Sequence, residues 1–216
     1  TRAGAGEKQI EVDRRILRKR ISLLKKKLKA IDSERKVQSK KRKFFFRTSL
    51  VGYTNVGKSS LMKALTKSDV LIRNQLFATL DTTVRRFFIN ESKYILLSDT
   101  VGFIRNLPNN LIASFKSTLQ EVVDSNLLLI ILDANSSDLY NEIDTIQSVL
   151  TEIGAEKISY QYVFNKIDLI NEGKIKYLKN SFPESIMVSA SRSLQLSDIK
   201  KVIRNHYEDW SISLKN

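Results

Sequence analysis

Eight consecutive residues, Gly52-Tyr53-Thr54-Asn55-Val56-Gly57-Lys58-Ser59, carry the densest chemistry in this 216-residue sequence. They match the pattern G-x-x-x-x-G-K-[ST]. The two glycines let backbone N–H groups curl around phosphate oxygens. Lys58 supplies a point charge for β- and γ-phosphates, and Ser59 a hydroxyl for Mg²⁺. A helix beginning at Lys58 turns its positive end toward the same phosphates. The plain alternative is a glycine-rich turn with no ligand, and it requires the strand–loop–helix context to be accidental.

Four further clusters fit the same ligand. Asp99-Thr100-Val101-Gly102 follows a hydrophobic strand, where an aspartate holds Mg²⁺ through water. Gly102 there leaves room for backbone to approach a γ-phosphate. Asn165-Lys166-Ile167-Asp168 follows another strand. Guanine presents N1–H and its 2-amino group as paired donors on one edge, and a carboxylate is the matching acceptor pair. Adenine has no hydrogen on N1 and no 2-amino group, so Asp168 discriminates against it. Ser189-Ala190-Ser191, after the last short strand, is placed to close over a base through backbone N–H groups, although the triplet alone is a weak signal. Finally, Phe77-Ala78-Thr79-Leu80-Asp81-Thr82-Thr83 lies in a polar loop, where a threonine can reach Mg²⁺ when a triphosphate is present. Thr79, Thr82 and Thr83 are all eligible by spacing.

These clusters need a scaffold. Phe44–Val51 reads as a strand, Lys58–Thr66 as a helix and Lys67–Thr83 as a loop. Val84–Asn90 and Lys93–Ser98 read as strands joined by a turn at Glu91-Ser92. Helices are expected over Leu111–Asp124, Asp138–Ile153, Glu172–Lys179 and Leu194–Tyr207. Strands are expected over Leu127–Asp133, Ile158–Phe164 and Ser185–Val188. Repeated βα units imply an α/β fold: a three-layer α/β/α arrangement around a mostly parallel sheet. Ligands of such sheets sit at the carboxyl ends of the strands, where every cluster but the Phe77–Thr83 loop falls.

Charge divides the chain in two. Net charge is +14. Residues 1–47 hold 18 basic and 5 acidic side chains, and the rest is nearly balanced. Glu7 to about Val37 contains no glycine or proline and reads as one long helix, with a basic linker at Gln38–Lys43. Leu17, Ile21, Leu24, Leu28 and Ile31 step by alternating fours and threes, a heptad seam that needs a partner helix. The expected division is a basic helical arm over 1–43 and a nucleotide-binding domain over 44–216. A segment this basic attracts a polyanion: RNA, DNA or an acidic membrane surface. The absence of Cys excludes disulfides and thiolate chemistry, and the single His206 excludes a multi-His metal cluster. The longest apolar run, Leu127–Leu132, is far short of the ~18 residues of a membrane span. A cytoplasmic location is the expectation.

Together the motifs look like those of a P-loop GTPase. More closely, the chain resembles the HflX family of ribosome-associated GTPases. The blocks that carry the resemblance are Gly52–Ser59 (GYTNVGKS), Gln75–Asp81 (QLFATLD), Thr83–Arg86 (TVRR), Ser98–Asn106 (SDTVGFIRN) with Leu107-Pro108, and Gly4–Arg15 in the arm. The resemblance implies that Thr79 is the loop ligand to Mg²⁺ and that Phe77–Asp81 contacts the nucleotide. It implies GTP hydrolysis coupled to binding of the large ribosomal subunit and its rRNA, with a role in protein synthesis, ribosome splitting or rescue, or ribosome biogenesis. It also implies that the basic helix is half of a helical hairpin, preceded in the family by a separate N-terminal domain. That domain is not in this sequence, which therefore reads as a fragment or a shortened member. Thr82 stands where the family usually has proline, which loosens the loop.

Ras-type GTPases carry Gln directly after D-x-x-G to orient the attacking water. Here the position is Phe103, which neither donates nor accepts. Hydrolysis is therefore expected to be slow alone and stimulated by the ribosome, with Arg105 the nearest candidate cation. Monomeric GTP and GDP binding, with at most a weak membrane association, completes the expectation. Two other readings compete. A small-molecule kinase would need an acceptor site and lid rather than a guanine clamp. A guanine-nucleotide-binding module whose basic helix binds nucleic acid or a membrane surface would show polyanion affinity indifferent to GTP versus GDP.

Overall fold

The computed structural model describes residues 11–27, 30, 42, 44–66, 82–100, 102 and 119–214. Thr1–Phe44 and Phe45–Asn216 form two separate compact units. In the first, residues 11–27 are helical. Leu17, Ile21 and Leu24 of the seam are more than half exposed there. Leu28, Ile31 and the predicted ends of this helix lie outside the described residues.

The second unit is built on six strands: β1 (Arg47–Val51), β2 (Thr83–Phe88), β3 (Tyr94–Asp99), β4 (Leu127–Asp133), β5 (Tyr160–Asn165) and β6 (Ile186–Met187). Their order in the sheet is β2-β3-β1-β4-β5-β6. Only β2 runs antiparallel, against β3. The others are parallel. Leu127–Leu132 is fully buried along its whole length, the mark of a central strand covered on both faces.

The helices described in full are α1 (Lys58–Thr66), α2 (Leu139–Glu152), α3 (Glu172–Ser181) and α4 (Leu196–Ser213). Leu61, Met62 and Leu65 turn one stripe of α1 into the core. Leu139, Ile143, Ile146, Val149 and Leu150 do the same for α2. That helix stops where Gly154 takes φ +76°, with Ala155 N–H bonding back to Leu150 O at 2.8 Å. Asn171 caps α3 by accepting from Lys174 N–H at 2.9 Å. On one face of the sheet, Phe46 packs edge-on against Tyr207 and Trp210 of α4. From the next positions along β1, Arg47 Nη1 reaches Asp124 Oδ2 at 3.2 Å, and Ser49 Oγ donates to Glu121 O at 3.2 Å. The sheet thus carries structure on both faces, as the βα pattern implies.

Several element bounds differ from the sequence reading. β1 starts at Arg47, not Phe44, because Phe44 and Phe45 lie in a turn and a bend. β2 and β3 are Thr83–Phe88 and Tyr94–Asp99, and the turn between them is longer than Glu91-Ser92. Asn90 organises it, its Oδ1 accepting from the backbone N–H of Ser92 and Lys93. α4 continues six residues beyond Tyr207, since Tyr207 and Trp210 keep an aromatic stripe against Phe46. A 3₁₀ turn at Ile167–Leu169 interrupts the loop after β5. Only the end of the predicted Leu111–Asp124 helix is described, and residues 119–123 are helical.

Candidate functional site

After β1 the chain builds β2 and β3 on one side of it and then crosses to place β4 on the other, so a crevice opens at the carboxyl end of β1. Gly52–Ser59 fills that position. Gly52 takes φ +150°, and a Cβ there would stand 2.3 Å from Ile131 O on β4. Gly57 takes φ +95° and leaves no space beside Asn165. Both glycines are therefore required by the geometry of this turn. Lys58 is buried, and its Nζ donates to Gly52 O at 3.0 Å and to Tyr53 O at 2.8 Å. Burial lowers its pKa from 10.5 to about 8, against the opposing pull of the Asp99 carboxylate.

Asp99 is the last residue of β3 and is buried. Its Oδ2 accepts from Ser59 Oγ at 2.5 Å. Thr100 turns away and donates to Leu50 O at 2.6 Å, which ties the end of β3 to β1. A Cβ on Gly102 would stand 2.8 Å from Cα of Thr54, so Gly102 lies directly against the glycine-rich loop. The Ser59 hydroxyl and the Asp99 carboxylate are hard oxygen donors, and they already meet. One or two such groups plus substrate phosphates make up the usual Mg²⁺ environment, so these residues fit that ion. Among the described residues no group of three or more His, Cys, Asp or Glu side chains is placed to hold a metal by itself. Val101, Phe103, Arg105 and the whole Phe77–Asp81 segment with Thr79 lie outside the described residues.

The third cluster is bound to the first through one side chain. Asn165 Nδ2 donates to Val56 O at 2.8 Å, and Asn165 Oδ1 accepts from Ala190 N–H at 2.9 Å. Lys166 adopts a left-handed backbone, φ +63°, and its ammonium pairs with Asp133 Oδ2 at 2.6 Å. Asp168 sits in the 3₁₀ turn with its side chain 13% exposed. Its Oδ1 is buried without a hydrogen-bond partner, while Oδ2 stands 3.6 Å from Arg192 Nε. The Ser189 hydroxyl beside it, supported by the charge of Arg192, holds the Asp168 carboxyl below its ordinary pKa. Ser189 and Leu194 form a bridge that closes the 189–194 loop, and the Ser189 and Ser191 hydroxyls meet at 3.1 Å.

The structure thus gathers Gly52–Ser59, Asp99, Gly102, Asn165–Asp168 and Ser189–Ser191 along one end of the sheet. It adds residues that sequence reasoning did not single out. Asp133 is the last residue of β4 and lies opposite Asn165 in the ladder. Its place at a strand's carboxyl end was the available signal. Arg192 follows the Ser189–Ser191 triplet and had none. A polar cleft of about 370 Å³ opens between Tyr53–Val56, Asp133 and Lys166 on one side and Ser136, Asp138 and Glu142 at the start of α2 on the other.

The family described as 50S ribosome-binding GTPase matches residues 47–166, more than half of the chain. Residues 1–42 match the family described as GTP-binding GTPase Middle Region. The chain is 53% identical to the GTPase HflX of Flavobacterium psychrophilum over 165 residues, 76% of this chain and 40% of that protein. It is 42% identical to the GTPase HflX of Gluconacetobacter diazotrophicus over 205 residues, 95% of this chain and 46% of that protein. Against the GTPase HflX of Escherichia coli the identity is 41%, covering 87% of this chain and 45% of that protein. The chain therefore spans less than half the length of these curated relatives. Among solved structures it is similar to a GTP-binding protein of the archaeon Sulfolobus solfataricus in complex with GDP, at a TM-score of 0.63 and 25% identity, covering 94% of this chain and 61% of that one. Era of Aquifex aeolicus bound to GDP and AlF4⁻ gives a TM-score of 0.60 at 20% identity, covering 73% of this chain and 56% of that one, and speaks to the fold alone.

Proposed function

Since the chain belongs to the HflX family of GTPases, we propose that it binds GTP and GDP at the carboxyl end of its sheet, hydrolyses GTP with Mg²⁺, and works on the large ribosomal subunit in the cytoplasm. The observation that carries the nucleotide reading is the joint use of Asn165. One amide fixes both the glycine-rich loop and the Ser189–Ser191 loop, so a phosphate cradle and a carboxylate clamp are held in one frame.

In this reading the N–H groups of Gly52–Ser59 bind the phosphates. Lys58 adds a charge in a buried setting where water screens it little. Ser59, with Asp99 through water, would hold the Mg²⁺, which would neutralise charge developing on the phosphates. Thr79 joins them from its loop. Asp168 accepts from the guanine edge, and its depressed pKa keeps it a carboxylate at neutral pH. The N–H groups of Ser189–Ser191 close over the base. Phe103 offers no polar atom to orient water, so hydrolysis is slow until the ribosomal partner orders the site, with Arg105 the nearest candidate for a stabilising cation. The basic segment 1–47 meets rRNA.

The test is GTP turnover with and without purified large ribosomal subunits at two salt concentrations, repeated with EDTA. Stimulation that fades with salt and vanishes with EDTA is expected. Fast turnover without subunits removes the ribosome-dependent mechanism, and failure to bind GDP removes the nucleotide reading. Among the described residues no helix is long and apolar enough to cross a membrane.

A further inference from the structure

We propose that the far end of the β2–β3 hairpin, away from the nucleotide site, is a stacking surface for an unpaired base of RNA. The surface follows from the pleat of β2. Phe87 points inward and is 3% exposed, whereas Phe88, next to it, points outward and is 60% exposed. Phe88 lies directly opposite Tyr94 in the ladder, their rings 5.9 Å apart. Phe45 stacks on Tyr94 at 5.3 Å with 23° between the planes. The Arg86 guanidinium sits 4.8 Å over the Tyr94 ring. Four planar groups are thus brought together at the sheet edge, and Phe88 is the most exposed of the three rings.

The charge around them is one-sided. Residues 83–98 contain Arg85, Arg86 and Lys93 against Glu91. Among the described residues neither Arg85 nor Arg86 forms an ion pair. Arg86, two residues from Phe88, shares its face of β2, and an exposed aromatic beside an arginine with no ion pair among the described residues is complementary to a base with its phosphate, since every base has a face to stack and stacking tolerates sequence. A protein strand added to the open edge of β2 would use backbone groups and gain nothing from the rings or the arginines.

The inference extends the ribosomal reading to a second RNA contact, at the opposite pole of the sheet from Gly52–Ser59. The basic arm complicates a simple affinity measurement, because it binds any polyanion. It carries no aromatic residue from 1 to 43, however, so it offers no ring for a base. The experiment therefore compares the full chain's affinity for a uridine decamer with that for an abasic decamer of equal charge. It adds photocross-linking with 4-thiouridine. The expected result is roughly tenfold tighter binding of the base-containing strand. The Phe88→Ala and Arg86→Gln variants should bring that ratio toward one, with GDP affinity unchanged and cross-links mapping to the Phe88–Tyr94 segment. A ratio of one in the parent chain, an unchanged ratio in Phe88→Ala, or cross-links confined to the arm overturns the proposal. Co-sedimentation of the parent chain with large ribosomal subunits reports separately on the ribosomal reading, whose failure leaves the oligonucleotide result standing.

Discussion

Gly57 and Asn165 come so close that a Cβ added to the glycine would stand 2.3 Å from Asn165 Nδ2. The same nitrogen donates to Val56 O at 2.8 Å. The glycine-rich loop is therefore latched from β5 and does not hold its curl by local sequence alone. Gly57→Ala combines an unfavourable φ of +95° with a steric overlap. It should lower GDP affinity by at least about tenfold, the equivalent of a 1.4 kcal/mol loss, in a fluorescent-nucleotide titration. A near-native affinity would show that the latch gives way easily.

Asn165→Asp keeps the size of the side chain and reverses one bond. A carboxylate oxygen would face Val56 O, acceptor against acceptor, while the bond from Ala190 N–H survives. Nucleotide binding should fall, and circular dichroism should report an intact fold. Binding equal to the parent would mean that the amide donor is dispensable.

Lys58 should give the protein a pH signature. Burial holds its pKa near about 8 in the folded chain, whereas the unfolded chain keeps about 10.5. Between these values the unfolded chain binds the proton that the folded chain has released, so stability rises with pH across that window. Below about pH 8 both states are protonated and the cost of burying the charge is present in full. Urea unfolding of the nucleotide-free protein should show the rise, and Lys58→Met should flatten it. The same slope in Lys58→Met would assign the effect to another group.

Asp168 tests the base. Asp168→Asn exchanges one acceptor oxygen for an amide donor, which opposes the donors on the guanine edge. GDP affinity should fall by at least about 100-fold, while xanthosine diphosphate, which carries a carbonyl where guanine has its amino group, should bind better than it does to the parent. Unaltered GDP affinity would place the base elsewhere.

Arg47 and Asp124 make a largely buried pair, their side chains 10% and 23% exposed. Arg47→Ala removes this cation from a carboxylate that also accepts from Gln120 Nε2 at 3.1 Å, and should cost about 1–3 kcal/mol in urea unfolding. Replacing both partners by apolar residues, Arg47→Met with Asp124→Leu, should cost less than the single change. A double variant as unstable as the sum of its parts would show that the two residues act independently.

The sheet and its clusters were largely legible in the sequence because their signals are local. Leu127–Asp133 reads as a buried strand from its run of apolar residues, and the glycine-rich loop from a fixed spacing. The contacts that join the clusters are not local. Asn165 meets Val56 across 109 positions and Ala190 across 25. Asp133 meets Lys166 only because β4 and β5 pair with those two ends level. Spacing marked the pieces, but only the register of the sheet decides which of them touch. The longer α4 was hidden for a related reason, since Trp210 belongs to the helix through Phe46, a residue far away in the chain.

The β2–β3 ladder opens with Thr83 against Asp99 and closes with Phe88 against Tyr94. Five residue steps at about 3.4 Å place the two pairs about 17 Å apart. Unbroken pairing spans that distance, with no loop to absorb displacement. The hairpin is in effect a bracket bolted to the central sheet: β3 is also paired to β1 from Leu96 to Asp99, so a load placed on Phe88 passes into β1 and leaves the carboxylate of Asp99 where it is.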